Sequence, residues 1–192
     1  MTLLLLGLLL FLGSHSIHIV APKWRAEQIE RFGELTWKGV YALLALLGIV
    51  LIVYGYGEAR LVPEVLWVAP TWTRHVTALL VLPAFILLVA ADVPGNRIKC
   101  RVGHPMVAGV TVWAFAHLLT NGTVADLLLF GGFLAWAVTS YAVCRSRDRR
   151  MGTTYPQGTV ARAIATLVGG VTAWVACAFW LHDLLFGVRP FG

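Results

Sequence analysis

Six histidines stand in or beside the long apolar runs of this 192-residue chain: His15, His18, His75, His104, His117 and His182. A polar group in hydrocarbon is costly unless it is paired, so a histidine inside a membrane span is a functional-site candidate by default. His15 and His18 are one helical turn apart, with Ser14 and Ser16 beside them. His117 lies deep in a later run, just before Asn121, and His104 precedes Pro105, the pattern of a helix start. His75 and His182 fall near the ends of their runs, where an amphipathic ring suits the headgroup zone.

The chemistry open to such residues is narrow. A closed zinc site needs four protein ligands and a catalytic one three, commonly with a carboxylate or cysteine cluster. No HExxH or paired Cys/His spacing supplies them, and Cys100, Cys144 and Cys177 are widely spaced and odd in number. Haem asks less of the protein, because the porphyrin brings four nitrogens and one or two axial imidazoles complete the iron. His15 and His117, deep on different spans, are the expected haem ligands, with His104, His75 and His182 as lesser candidates and interhelical hydrogen bonding as the alternative role. Serine nucleophile chemistry has poor support: neighbours on a helix point in different directions, and no acid is placed to orient His15. Asp126, close to Asn121 and Thr123, reads as a hairpin hydrogen-bond cluster.

The elements that hold these residues follow from composition. Apolar residues make up 59% and charged ones 12% of the chain, about half the charge of a soluble domain. Six windows, at about 2–21, 38–57, 73–91, 105–121, 123–144 and 161–182, are long and apolar enough to cross a bilayer. An all-α, polytopic membrane protein forming one domain over residues 1–192 is expected, with no room for an extramembrane domain. The first window lacks a basic start and a small-x-small cleavage pattern and is read as an uncleaved helix. The fourth and fifth windows meet at Asn121-Gly122-Thr123 in a tight hairpin.

The formal charge of +6 would suggest nucleic acid in a soluble chain. Sorted by connection, twelve of the fifteen Lys and Arg fall on one side of the six spans, and only Arg60, Arg74 and Arg189 on the other. The positive-inside rule then makes the odd connections cytoplasmic and puts both termini outside. The charge reports orientation and attraction to anionic lipid, not a nucleic-acid partner. The first inner connection, Pro22 to Trp37, has Ile29 and Phe32 at helical spacing, Glu27 and Arg31 as a possible pair, and Trp24 and Trp37 at its ends; it predicts a short helix in the interface.

Four motifs give a family resemblance. Leu12-Gly13-Ser14-His15-Ser16-Ile17-His18, Pro94-Gly95-Asn96-Arg97-Ile98-Lys99, Gly103-His104-Pro105-Met106 and Trp113-Ala114-Phe115-Ala116-His117-Leu118-Leu119-Thr120-Asn121-Gly122 together resemble the NnrU family. The resemblance continues to Phe179-Trp180-Leu181-His182. It implies a multi-pass protein of the bacterial inner membrane associated with nitrite and nitric oxide reduction. The family includes the plant and cyanobacterial 15-cis-ζ-carotene isomerase, which uses haem b. Its two proposed ligand histidines match His15 and His117; the cysteine three residues before the second is Ala114 here, and its Arg-His-Pro is Gly103-His104-Pro105. His18 stands where family members often have arginine.

Two functions follow as expectations. One is a haem b protein with a redox or nitric-oxide-linked role, its ligand a small gas or its substrate an apolar polyene, the enzyme class if any being isomerase-like. The other is a non-enzymatic membrane accessory for denitrification or respiration, whose histidines pack between helices. A weaker third starts from the His-Pro helix start, which is similar to that of membrane isoprenylcysteine methyltransferases, though their polar C-terminal cofactor segment has no counterpart here. Along the normal, the spans place His15 and His117 roughly 10 Å apart. One iron brings two imidazole nitrogens within about 4 Å, so that pair requires tilted helices or a tilted haem, and His117 with His75 or His182 is the runner-up.

Overall fold

A computed structural model describes residues 1–191, and among them the chain is all helical, with no strand beyond two isolated bridges. The helices are α1 (Thr2–Val20), α2 (Pro22–Phe32), α3 (Glu34–Ala59), α4 (Thr73–Asp92), α5 (Arg97–Val102), α6 (Pro105–Leu118), α7 (Val124–Met151), α8 (Val160–Ala176) and α9 (His182–Phe186). A π-helical turn, Cys177–Leu181, joins the last two. Five segments among the described residues are long and apolar enough to cross a membrane: α1, α3, α4, α7 and the continuous Val160–Phe186.

The fourth window differs from the six-span expectation. α6 has only 14 residues, about 21 Å at 1.5 Å per residue, against a hydrocarbon core about 30 Å thick. It stops at Leu118 because the chain tightens there: Thr120 N and Asn121 N both donate to the His117 carbonyl, as does the Asn121 side-chain amide at 2.8 Å. Hydropathy continues to about residue 121, but the backbone does not continue as helix.

Packing divides the chain into two units, Met1–Trp67 with Thr123–Gly132, and Val68–Gly122 with Phe133 onward. In the first, α1 and α3 run antiparallel along a glycine seam. A Cβ on Gly7 would meet the Ile52 backbone nitrogen at 2.6 Å, one on Gly48 would meet Phe11, and one on Gly55 would strike the Leu3 and Leu4 backbone. Small residues at such positions let helix backbones approach where lipid gives no hydrophobic drive between helices. α2 is the short helix expected of the first connection. Trp24 and Trp37 meet edge to face with centroids 5.8 Å apart, Arg25 lies over the Trp37 ring, Arg31 lies over Phe32, and the local ion pair is Glu34–Lys38 at 2.9 Å.

The start of α7 shows the expected hairpin cluster. Asp126 N donates to Thr123 Oγ1 at 3.2 Å while Thr123 N donates back to Asp126 Oδ2 at 2.9 Å, a reciprocal cap of the helix start. Thr123 Oγ1 also donates to Oδ2 at 2.7 Å, and the Tyr56 hydroxyl donates to Oδ1 at 2.5 Å. The carboxylate is thus buried but satisfied.

In the second unit α4 lies between α6 and α8, antiparallel to both. Gly109 of α6 abuts the Ala84 carbonyl, and Gly170 of α8 abuts Ile86. Pro83 inside α4 removes one backbone donor. α5 is ordered by Asn96, 1% exposed. Its Oδ1 accepts from Lys99 N at 2.8 Å and its amide donates to the Ala90 and Val93 carbonyls at 2.9 and 2.5 Å. The segment 152–159 is fastened over this turn: Thr159 N donates to Gly95 O at 3.0 Å, Arg162 to Pro94 O at 3.1 Å and Arg97 to Gly158 O at 3.3 Å. At Gly158 any Cβ would collide with the Asn96–Arg97 backbone.

Candidate functional site

His15 and His117 use the same local device. Both are half-buried. His15 Nδ1 donates to the Phe11 carbonyl at 2.7 Å, and His117 Nδ1 donates to the Trp113 carbonyl at 2.8 Å, in each case four residues back along the helix. A carbonyl can only accept, so the Nδ1 proton is fixed and the lone pair lies on Nε2. That neutral tautomer is the form in which histidine ligates a metal, and a backbone carbonyl on the other nitrogen is its usual orienting partner.

Neighbouring rings hold each imidazole in place. His15 stacks on Phe11, centroids 4.1 Å apart, and tilts against Tyr41 at 5.0 Å. Ser14 Oγ lies 3.5 Å from His15 Nδ1, but it donates to Phe11 O at 2.9 Å and the Nδ1 proton is committed to the same carbonyl, so that nitrogen is no base for the serine; Ser16 donates to Leu12 O at 2.6 Å. His18 Nδ1 donates to the His15 carbonyl at 2.7 Å. His117 lies 5.1 Å from the Trp113 ring, and the end of α6 that carries it is tied to α4 by threonines. Thr77 Oγ1 donates to Ala116 O at 2.9 Å and meets Thr120 Oγ1 at 2.8 Å, and Thr120 donates to Thr73 at 3.2 Å. Ala114, three residues before His117, is fully buried. His15 belongs to the first unit and His117 to the second.

Of the lesser candidates, His75 is exposed near the start of α4, and His182 Nδ1 donates to the Val188 carbonyl at 2.7 Å with its ring against Phe186. His104 is the residue preceding α6, as its Pro105 implies, and it is the centre of a second constellation. Its Nε2 lies 2.8 Å from Asp148 Oδ2 and 3.2 Å from the Tyr155 hydroxyl, which itself donates to Asp148 Oδ2 at 2.6 Å. The rings of Tyr141 and Tyr155 meet the imidazole edge to face at 6.4 and 6.2 Å. Arg145 Nη1 stands 3.8 Å from the same carboxylate oxygen, and Cys100 Sγ donates to the Tyr155 carbonyl at 3.4 Å. Loss of hydration on burial, then the Asp148 carboxylate, pushes the Tyr155 phenol up to about 12.

Sequence reasoning identified His104 but missed Asp148 and Tyr155. The available signal was a single acid inside Cys144-Arg145-Ser146-Arg147-Asp148-Arg149-Arg150, a run whose other charges are all basic. Among the described residues no three His, Cys, Asp or Glu side chains gather as a metal site. Each of His15 and His117, with its Nδ1 proton committed to a carbonyl, presents Nε2 as the nitrogen that could ligate a metal.

The protein family description "NnrU protein" matches residues 3–190. The chain belongs to the NnrU family. No curated protein and no solved structure matches it. The motif histidines of this NnrU-family chain therefore sit on α1 and α6, and its Asn96 and His104 motifs form the ends of the α5 turn.

Proposed function

We propose that this NnrU-family chain is a haem b protein of the bacterial inner membrane, with His15 and His117 as the axial imidazoles. The observation that carries the reading is the paired tautomer: on both helices Nδ1 is committed to a carbonyl four residues back, so Nε2 is the metal-seeking nitrogen. Bound haem would supply a one-electron centre or a Lewis acid for nitrite- or nitric-oxide-linked redox chemistry, or for isomerase-like chemistry on an apolar polyene. The residues' own part is to orient the ligands and keep water away: Phe11, Tyr41 and Trp113 wall the imidazoles, and the threonines of α4 fix the end of α6. The reading includes six crossings with both termini outside, α6 and its tight turn forming the shortest crossing. It is supported by the twelve basic residues that this arrangement gathers on one side.

A second reading, that of a non-enzymatic accessory protein, draws on the same intrahelical bonds, since a histidine tied to its own helix also packs without a cofactor. The absorption spectrum of the protein purified in detergent after expression with ample haem separates the two. A Soret band with low-spin character supports the haem reading, and its absence leaves the accessory role.

A further inference from the structure

The His104 constellation borders a shallow cavity of about 180 Å³ lined by Ala91, Lys99, Gly103, His104, Pro105, Met106 and Val107. At about 30 Å³ for each water, it accepts a group of about six heavy atoms. Two of its walls are chemically specific. Lys99 Nζ donates to the Ala91 carbonyl at 2.8 Å, which uses one of three donors and leaves two. His104 caps no backbone N–H of α6, and among the described residues its hydrogen bonds all run through Nε2.

That asymmetry defines what fits. An ionised Asp148 only accepts, and Tyr155 already donates to it, so Nε2 of His104 carries a proton; in the uncharged ring that tautomer leaves Nδ1 as the acceptor. The cavity thus offers an ammonium that needs an anionic oxygen and an imidazole nitrogen that needs an O–H. A phosphomonoester head in its monoanionic form has both on one phosphorus, whereas a phosphodiester has the anionic oxygen but no O–H. The remaining lining, Ala91, Pro105, Met106 and Val107, is apolar, and the cavity lies where α4 ends and α6 begins, the depth at which lipid headgroups sit.

We propose that this cavity binds a phosphomonoester head, with Lys99 holding the charged oxygen and His104, oriented by Asp148 and Tyr155, accepting from the P–OH. The head comes either from a lipid such as phosphatidic acid or from a free phosphate. The test uses the full chain in phosphatidylcholine nanodiscs containing equal fractions of phosphatidic acid or phosphatidylglycerol, with retained lipid read by native mass spectrometry. The wild type retains the monoester lipid about tenfold better, the ratio expected for one additional charge-assisted hydrogen bond. Lys99→Gln and His104→Asn lose the preference, while Arg150→Gln, which removes one positive charge from an exposed side chain, keeps it. Displacement of the lipid by added inorganic phosphate assigns the site to either source; retention against phosphate assigns it to the lipid alone. Equal retention of the two lipids by the wild type overturns the proposal without recourse to any variant, as does a preference that falls equally in Lys99→Gln and Arg150→Gln.

Discussion

Nε2 of His104 and Oδ2 of Asp148 lie 2.8 Å apart across 44 residues of sequence, joining the start of α6 to the end of α7. Tyr155 closes the triangle from the 152–159 segment, and the Asp148 carbonyl accepts from Thr153 N at 2.9 Å, so one aspartate orders both its own helix end and the loop beyond it. Tyr155→Phe removes one hydroxyl from this clasp while keeping the ring against His104. The expected outcome is a melting temperature in detergent lower by roughly 2–4 °C, the value of about 1 kcal/mol in a chain of this size. Asp148→Asn, which alters every member of the triangle, destabilises further, and adding Tyr155→Phe to it changes little more. Additive losses would show that the two side chains act independently.

The clasp has a defined alkaline limit. The Tyr155 phenol titrates near 12 in the fold, against about 10 in an unfolded chain. Because the folded value is the higher one, the phenol's contribution is complete below pH 10 and is lost as the pH rises through 12. Absorbance titration of tyrosinate should lose one late-titrating group, near pH 12, in Tyr155→Phe. If the amplitude lost in Tyr155→Phe lay instead near pH 10, about the ordinary phenol value, Tyr155 would be removed from the clasp.

The α1–α3 seam depends on hydrogen where a methyl would otherwise stand. Gly55→Ala places a methyl against the Leu3–Leu4 backbone and Gly7→Ala places one 2.6 Å from Ile52 N, neither of which is the end of a flexible side chain. Each is expected to cost about 1–3 kcal/mol through forced separation of the helices. Gly57→Ala, on the same helix with open space around its Cβ, serves as the control. Unfolding in mixed detergent micelles should rank Gly57→Ala with the wild type and the other two well below it.

Much of this architecture was legible because hydropathy reports which stretches prefer lipid. The windows located α1, α3, α4, α7 and the last long helix, and the Trp24–Trp37 connection announced α2. Hydropathy has no sensitivity to where a backbone turns, and so the window ending near residue 121 concealed the stop at Leu118, which depends on Asn121 and Thr120 bonding back to His117. The histidines could be found by residue type, yet their tautomers could not, since these depend on which carbonyl each ring meets. Asp148 was hidden by its setting: an acid among arginines reads as a solvated charge until a loop tyrosine and a distant histidine are brought onto it.

The Tyr56–Asp126 bond is a second place where one atom can be tested. Tyr56→Phe leaves the buried carboxylate its Thr123 partners but removes the donor to Oδ1. A hydrogen bond to a charged group contributes about 1.5–3 kcal/mol, and the loss should be near the lower end because two donors remain. Asp126→Ala removes the helix cap as well and should cost more. Chemical denaturation in detergent ranks the two, and equal costs would show that the Tyr56 contact is incidental.

The proposed haem ligands can be separated residue by residue. His15→Gly and His117→Gly each remove one Nε2 while leaving the rest of the helix intact, and each should lose most of the haem or convert a low-spin spectrum to a high-spin one. Added imidazole should restore the original spectrum in both, because the missing group is then supplied from solution. His18→Ala tests the neighbour whose Nδ1 bonds to the His15 carbonyl, and it should leave the spectrum unchanged. Thr77→Val loosens α4 from the end of α6 that carries His117, so it should shift the spectrum partially, and Thr77→Ser should restore it. Spectra unchanged in both glycine variants would exclude His15 and His117 and move the ligands to His75 or His182.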